Sequence, residues 1–222
     1  MAKNIVVLAI KNHANWLLAW YTQFMQRIFL VRHGQKEPIK GDPALTELGQ
    51  LQAQKTAEFL SQFPIQKIWS SPLLRTKQTA KQIADKTGQQ VITHSAFRER
   101  LNWGDLPNQS FDDFLEMWNK TTLDRDFQPE GLDSVKTAVT RFEKGVAEAL
   151  NNNDGHIVLV THGGVVADFL QNLFTIEVLD QMLPGFGLMR ENLIKECSIT
   201  VLEKENAEPF RLIQLAGTQH LK

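Results

Sequence analysis

Two spacings of apolar residues alternate along the chain. Short runs rich in apolar and β-branched side chains predict strands at residues 27–32, 66–70, 90–93, 156–161, 198–203 and 210–215. Between most of these runs, apolar residues recur every three or four positions, as they do on one face of a helix. The alternation predicts an α/β fold, a three-layer α/β/α sandwich with a mostly parallel central sheet.

Capping residues mark the first two predicted helices as well as spacing does. Thr46 is expected to cap the first helix, and Pro72 is expected in the first turn of the second, which Gly88 ends. We expect the first helix to lie on the sheet with its apolar residues Leu48, Leu51 and Phe59.

Two further helices follow in the second half of the chain. Ser134 is expected to cap the third, and the fourth is predicted over residues 165–174, after a pair of glycines. The apolar residues of the third helix share one face and are Val135, Ala138, Val139, Phe142, Val146 and Ala149.

Composition narrows the class of protein. The chain has 222 residues, 42% of them hydrophobic, which is enough for one substantial core. A net charge of -1 gives no general positive field, so we expect neither nucleic acid nor a membrane as a partner. The single cysteine, Cys197, excludes an internal disulfide and is expected to be buried. This usage fits a reducing compartment, and we expect a cytoplasmic protein.

Residues 1–24 stand apart from this pattern. Lys11-Asn12-His13 interrupts their apolar stretches before a membrane-spanning length of about 20 residues is reached. No small-residue cleavage site follows, which disfavours a signal peptide. We interpret residues 1–24 as an N-terminal extension, either dispensable or a short helix packed on a domain of residues 25–222.

Two histidines follow predicted strands directly. Arg32-His33-Gly34 ends the run that begins at Ile28, and His162-Gly163 follows the run that ends at Thr161. Since the carboxyl ends of parallel strands meet at one edge of a sheet, both imidazoles are expected at the same ligand-binding edge. This pattern is typical of an active site.

Arginine makes the expected ligand more specific. Arg75 lies where the second helix begins, and backbone amides at a helix start favour anions. Guanidinium groups bind phosphate oxygens in pairs, so Arg32 and Arg75 beside two histidines predict a phosphate ligand. One imidazole must be neutral to attack phosphorus, and the other can be cationic to hold the phosphoryl oxygens.

Five ordered blocks of sequence resemble the histidine phosphatase superfamily, also called phosphoglycerate mutase-like. They extend over about residues 27 to 203 and are Leu30-Val31-Arg32-His33-Gly34-Gln35, Asp42-Pro43-Ala44-Leu45-Thr46-Glu47-Leu48-Gly49, Ser70-Ser71-Pro72-Leu73-Leu74-Arg75-Thr76, Phe97-Arg98-Glu99-Arg100 with Trp103-Gly104, and Val160-Thr161-His162-Gly163-Gly164. One Arg-His-Gly triplet is a weak signal, but five blocks in order are specific.

The resemblance implies a catalytic scheme. His33 would take the phosphoryl group as a phosphohistidine, within a pocket formed by Arg32, Arg75 and His162. Glu99 matches the family's general acid, although a surface ion pair with its arginine neighbours is the alternative. The scheme needs no metal and no cofactor, because the cations supply the electrostatic stabilisation.

Glycines and aromatic residues near these blocks have more than one interpretation. Gly163 is expected to permit a tight turn into a helix, with backbone contact to phosphate as a second role. The aromatic residues of the segment 102–128 either line a lid over the leaving group or simply pack; their helical spacing leads us to favour packing. They include Trp103, Phe111, Phe114 and Trp118.

The chain also departs from the family pattern. Many members carry an asparagine about five positions after the first histidine, whereas this chain reads Lys36-Glu37-Pro38-Ile39-Lys40. Where members commonly read Gly-Glu-Ser, this one reads Gly131-Leu132-Asp133-Ser134, and we interpret Asp133 as part of a helix cap rather than of the site.

The resulting prediction is a phosphatase acting on small phosphorylated metabolites. A phosphoglycerate mutase and a non-catalytic binder of phosphorylated ligands are the alternatives. The short segment between Glu99 and His162 favours hydrolysis over mutase chemistry, which needs more cover over the phosphohistidine. A homodimer is left open.

Overall fold

A six-stranded sheet forms the centre of the protein. The computed structural model describes residues 26–151, 155–188, 193–205 and 208–222. The strands are β1 (Gln26–Arg32), β2 (Ile65–Ser70), β3 (Val91–Thr93), β4 (His156–Thr161), β5 (Ile199–Lys204) and β6 (Arg211–Gly217), in the order β3-β2-β4-β1-β5-β6. Every strand predicted from the apolar runs is present, with small shifts at its ends. The proposed extension of residues 1–24 lies outside the described residues, so the boundary at residue 25 stays a prediction.

Strand direction places the ends of the central strands at one edge. β3, β2, β4 and β1 run parallel to one another, while β5 is antiparallel to β1 and to β6. Arg32 lies opposite Thr161, and Ser70 lies opposite Val160. The carboxyl ends of β2, β4 and β1 are therefore level, which positions whatever follows them side by side.

Helices cover both faces of the sheet. They are α1 (Glu47–Leu60), α2 (Leu74–Thr87), α3 (Phe111–Leu123), α4 (Val135–Asn151), α5 (Gly163–Leu173) and α6 (Ile176–Met182). α1 and α2 pack on one face against Phe29 and Val31, and α4 and α5 pack on the other against Ile28 and Leu30. Successive strand residues point to opposite faces, so β1 serves both cores. The predicted mixed sandwich is confirmed.

The first helix buries only part of the predicted face. Phe59 packs against the core, but Leu48 and Leu51 are 50% and 49% exposed, while the small residues Gly49 and Ala53 face inward. A Cβ at Gly49 would overlap the carbonyl oxygen of Gln35. Because backbone approaches that closely at the start of the helix, no larger residue fits at Gly49.

The second helix begins later than predicted. Pro72 precedes α2, whose N-cap is Leu73, so the expected place of Pro72 in the first turn was wrong. The amide of Leu74 donates to Asp42 at 2.7 Å, which satisfies the first free N–H of the helix from a distant loop. The caps at Thr46, Gly88 and Ser134 are as predicted.

Within the described ranges, no helix combines the length and apolar character that crossing a membrane requires.

Candidate active site

Neighbouring parallel strands deliver the predicted residues to one cavity. β1 ends at Arg32 and is followed by His33, and β4 ends at Thr161 and is followed by His162. The two imidazole rings lie 5.2 Å apart between centroids. Arg75, in the first turn of α2, reaches between them from the end of β2. The predicted meeting of both histidines at one sheet edge is present.

Hydrogen bonds fix the tautomer of His33. Its Nδ1 lies 2.7 Å from the carbonyl oxygen of Gly34, which can only accept, so Nδ1 carries the proton. Nε2 therefore holds a lone pair, and it accepts a hydrogen bond from Nε of Arg75 at 3.1 Å. Burial lowers the pKa of His33 well below its ordinary value, and the charges of Arg75 and Arg32 lower it further. The ring is therefore neutral and carries a lone pair on Nε2.

His162 is also neutral, although the sequence allowed for a cationic ring. Its Nδ1 accepts from Arg75 at 3.3 Å, so Nε2 donates to the hydroxyl of Ser71 at 2.8 Å. Burial lowers the pKa of His162 well below the usual range, and the neighbouring cations add to this effect. The two arginines therefore oppose a positive charge on this ring.

Both site arginines keep one buried N–H without a hydrogen-bond acceptor among the described residues. In Arg32 it is Nε, because the terminal nitrogens donate to the carbonyl of Ile194 at 2.5 Å and to Glu196 at 2.7 Å. In Arg75 it is Nη1, which lies 3.8 Å from the Asp42 carboxylate without a hydrogen bond, while Nη2 donates to Asn102 at 3.1 Å. Buried donors normally find a partner, so these two mark where an anion would bind.

Glu99 lies against the N-terminus of α5. One carboxylate oxygen accepts from the amide of Gly164 at 2.9 Å, and the other accepts from Val165 at 2.7 Å. Burial raises the pKa of Glu99, and this effect outweighs the opposing charge of Arg100 and the amide bonds. The carboxyl group lines the same cavity as His33.

The alternative of a surface ion pair for Glu99 was wrong. Arg98 pairs with Asp105 at 3.2 Å, and Arg100 pairs with Asp168 at 2.5 Å. Because each flanking arginine is engaged elsewhere, the Glu99 carboxyl group faces the cavity and the start of α5.

Glycines allow the close approach of these groups. Gly163 and Gly164 are the first residues of α5 rather than a turn before it, so this helix starts two residues earlier than predicted. A Cβ at Gly164 would lie 2.8 Å from the Glu99 carboxylate and would overlap the ring of Trp118. A Cβ at Gly163 would lie 3.2 Å from Arg32. Side chains at both positions would displace catalytic candidates.

A cavity of about 440 Å³ opens from these groups. Its lining includes the aromatic residues Trp103, Phe111, Phe114 and Trp118. Packing, which the spacing led us to favour for them, was wrong: Phe111 is 48% exposed, and Thr121 alone among the residues of α3 is fully buried. Helical spacing identifies the apolar side of a helix but not whether that side meets the core or a cavity.

A comparison with protein families decides the affiliation. A model of the histidine phosphatase superfamily (branch 1) matches residues 28–212 of the chain. The protein is a histidine phosphatase superfamily member. It is therefore an enzyme of the histidine phosphatase type, as the resemblance implied.

Sequence relatives of this histidine phosphatase superfamily member are named as probable mutases. A probable phosphoglycerate mutase GpmB of Yersinia pestis is 34% identical over 215 residues, covering 89% of this chain and 95% of that protein. The GpmB of an Enterobacter species is 29% identical, with 82% and 87% covered.

Solved structures share its fold. A mycobacterial glucosyl-3-phosphoglycerate phosphatase superposes with a TM-score of 0.69 and 25% identity, covering 87% of this chain and 100% of that one. A phosphoserine phosphatase of Entamoeba histolytica, at 24% identity and a TM-score of 0.67, supports the fold alone; it covers 89% of this chain and 100% of its own.

Several site residues escaped the sequence reasoning. Asn102 bridges Arg75 to the loop at Gly41, with its amide donating to the Gly41 carbonyl at 2.8 Å. Ser71 holds His162, and Glu196 pairs with Arg32. Ser71 lies directly after a predicted strand, a signal that would have identified it; nothing in the sequence marks the other two.

Lys36 occupies the region where many histidine phosphatases carry an asparagine. Its side chain lines the cavity, and its ammonium group makes one long hydrogen bond, 3.5 Å to the carbonyl of Glu37. Burial lowers the pKa of Lys36, and the charges of Arg75 and Arg32 lower it further. It adds a third cation beside the predicted pair.

Asp133, interpreted as part of a helix cap, also orders the segment before Glu99. It accepts from Thr137 at 3.2 Å and pairs with Arg141 of α4 at 2.7 Å. The same guanidinium donates to the carbonyls of Ala96 at 2.7 Å and Arg98 at 3.2 Å. One ion pair thus ties α4 to the backbone that carries Glu99.

Within the described part of the chain, no group of three His, Cys, Asp or Glu side chains is arranged to hold a metal ion.

Proposed function

We propose that this protein hydrolyses small phosphomonoesters, without a metal, through a phosphohistidine formed on His33. The observation that carries the proposal is the neutral His33 ring, whose Nε2 holds a lone pair beside unpartnered N–H groups of Arg32 and Arg75. A nucleophile surrounded by free guanidinium donors suits a phosphoryl group better than a carboxylate or a carbonyl.

In the first step, Nε2 of His33 attacks phosphorus while the bond to the ester oxygen breaks. Arg75 gives up its hydrogen bond to Nε2 as the phosphoryl group enters, and its donors then bind phosphoryl oxygens with those of Arg32. Glu99 gives its proton to the leaving oxygen. Its raised pKa keeps that proton available at higher pH than an ordinary carboxyl group would.

In the second step, water attacks the phosphohistidine. The carboxylate of Glu99 takes a proton from the water, the phosphorus–nitrogen bond breaks, and the electron pair returns to Nε2 of His33. Phosphate leaves. The cations around the phosphoryl group stabilise the negative charge in both transition states.

The experiment is phosphate release from a panel that includes p-nitrophenyl phosphate and 3-phosphoglycerate, with EDTA present. We expect turnover by the wild type and its loss, by about 10³-fold or more, in His33→Ala. Acid-labile phosphate bound to His33 should be captured by rapid quench and mass spectrometry. Turnover that survives in His33→Ala would overturn the phosphohistidine route.

A phosphoglycerate mutase is the second candidate, favoured by the name of a relative at 34% identity. Interconversion of 2- and 3-phosphoglycerate without phosphate release would establish the mutase instead. Phosphate binding with neither reaction, and without labelling of His33, would indicate a binder of phosphorylated ligands.

A further inference from the structure

Four aromatic side chains form a continuous row along one wall of the cavity. The ring centroids of Trp103 and Phe111 are 5.0 Å apart, those of Phe111 and Phe114 are 6.1 Å apart, and those of Phe114 and Trp118 are 5.9 Å apart. We refer to these four residues as the aromatic row. All four line the cavity that contains His33.

The inner end of the row and the candidate acid lie on either side of Gly164. Trp118 lies so close to Gly164 that a Cβ there would overlap its ring, and Gly164 donates its amide to Glu99. The guanidinium of Arg100 covers the same indole at 3.9 Å from the ring centroid. Since Glu99 faces the leaving oxygen in the proposed reaction, the row begins where the leaving group begins.

Arg100, a charged side chain beside the aromatic row, already has an ionic partner. Arg100 is committed to Asp168, with further hydrogen bonds to the hydroxyl of Thr122 and the carbonyl of Trp118. Lys36 lies near Arg32 and Arg75, on the phosphoryl side. Among the described residues, Arg100 beside the row is already paired with Asp168, so a carboxylate on the leaving group would compete with that ion pair for the guanidinium, whose Nε makes no hydrogen bond.

The cavity lining also includes apolar residues outside the row, together with polar ones such as Asn119 and Gln171. These apolar residues are Ile39, Leu101, Leu115, Ala167, Phe186 and Leu193. A surface that keeps exposed aromatic rings next to a phosphate site is suited to bury an apolar group, since burial of apolar area is favourable and stacked rings add to it.

We propose that the enzyme selects phosphomonoesters with an aromatic leaving group, which stacks along the aromatic row while the phosphoryl group is held at His33. The inference rests on the proposed phosphatase function, and it names the substrate class. Phosphates of small polar acids, such as 3-phosphoglycerate, are poor substrates because they leave the aromatic row exposed to water.

The test compares phosphate esters whose leaving groups have similar acidity. Differences in kcat/KM then report how well the leaving group is bound and not how easily it departs. We expect kcat/KM for 2-naphthyl phosphate to exceed that for phenyl phosphate about tenfold, from roughly 60 Å² of added apolar burial. Phe114→Ala should bring this ratio close to one. Leu123→Ala, on the same helix but 84% exposed, should leave the ratio at the wild-type value. Phe111→Ala replaces Phe114→Ala if the latter does not fold.

Binding of phosphonates, which cannot be hydrolysed, separates the inference from the phosphatase proposal. Calorimetry should show 2-naphthylphosphonate binding at least about tenfold tighter than methylphosphonate, an advantage reduced in Phe114→Ala. If no ester is hydrolysed but this advantage is found, the phosphatase proposal fails and the apolar subsite stands. The aromatic substrate class is refuted if 2-naphthyl phosphate and phenyl phosphate are hydrolysed equally well, or if the two phosphonates bind equally tightly. Neither result bears on the phosphatase proposal, which depends only on whether phosphate is released.

Discussion

Two titratable residues in the cavity have pKa values moved in opposite directions by the same burial. Burial lowers the pKa of the His33 imidazole and raises the pKa of the Glu99 carboxyl group. A histidine in this state is neutral at and below neutral pH, while a glutamic acid in this state keeps its proton to higher pH than usual. Burial in one cavity therefore favours a neutral histidine and a protonated glutamic acid over the same pH range, which are the states that the proposed nucleophile and acid need.

The role of Glu99 predicts a dependence on the leaving group. Glu99→Gln should lower kcat about 10²- to 10⁴-fold for an alkyl phosphate, whose leaving alkoxide needs a proton. The loss should be much smaller for p-nitrophenyl phosphate, because p-nitrophenolate leaves without one. With the alkyl phosphate, wild-type kcat should decrease as pH rises through the raised pKa of Glu99, and this decrease should be absent in the variant.

The matched control for this variant is Glu58→Gln, an exposed carboxylate on α1, which should behave as the wild type. Equal losses for both leaving groups in Glu99→Gln would contradict a role as proton donor and would indicate a general disturbance of the site.

Residues could be predicted from the sequence where a strand or helix end fixes their place. His33, His162 and Arg75 each follow a strand or begin a helix, so the topology brings them together. Asn102 and Glu196 come from loops whose path depends on distant contacts, such as the bond from Asn102 to the carbonyl of Gly41. Sequence spacing contains no information on such crossings.

At the scale of elements, one ion pair connects a helix to the acid. Arg141 of α4, held by Asp133, donates to carbonyl oxygens of the segment that leads from the end of β3 to Glu99. That segment has little regular structure of its own apart from the short 3-10 helix Ser95–Phe97. The position of the Glu99 carboxyl group therefore depends on contacts made by α4.

Arg141→Gln should consequently reduce kcat for an alkyl phosphate about tenfold, with a smaller effect on p-nitrophenyl phosphate. A loosened acid affects only the reaction that needs its proton, whereas a merely destabilised fold would lower both rates together. Arg141→Lys should recover part of the loss, because a single ammonium group can replace some of the bonds. Lys144→Gln, exposed on the same helix, is the control.

The elements themselves were predicted unevenly, for physical reasons. Strands buried on both faces appear in the sequence as continuous apolar runs, and all of them were predicted. Leu48 and Leu51 of α1 were wrongly placed on the sheet, because the inner side at the start of this helix consists of small residues that permit close backbone packing. The aromatic residues of α3 were predicted to pack, whereas they border a cavity, and only the three-dimensional arrangement distinguishes the two.

A buried, neutral histidine pair lies at the carboxyl ends of β1 and β4, the two central strands of the sheet. His33 and His162 are 4% and 1% exposed, and their folded-state pKa values are lowered mainly by burial. In the unfolded chain, both side chains titrate near the ordinary value of about 6.5. Above that pH neither state binds the proton. Below it the unfolded state binds protons that the folded state does not, so stability falls as pH falls.

Glu99 and Asp168 act in the opposite direction, since burial raises the pKa of both in the folded state. As pH falls through these raised values, the folded state takes up protons first and gains stability. The pH dependence of the free energy of unfolding is therefore the difference between the contribution of the two histidines and that of the two carboxyl groups. A variant is needed to isolate the contribution of one histidine.

His33→Gln isolates it, because glutamine keeps polar groups at this position but does not titrate. We expect the free energy of unfolding to fall less in this variant than in the wild type between pH 7.5 and pH 5, by up to about 1.4 kcal/mol per pH unit below the unfolded pKa. Urea unfolding in phosphate-free buffer measures this, since phosphate bound to the folded state would add its own stabilisation. Gln54→Ala, on the exposed side of α1, should show the wild-type pH dependence. Identical pH dependences for His33→Gln and the wild type would mean that His33 binds its proton equally well in both states, which would contradict a buried neutral nucleophile.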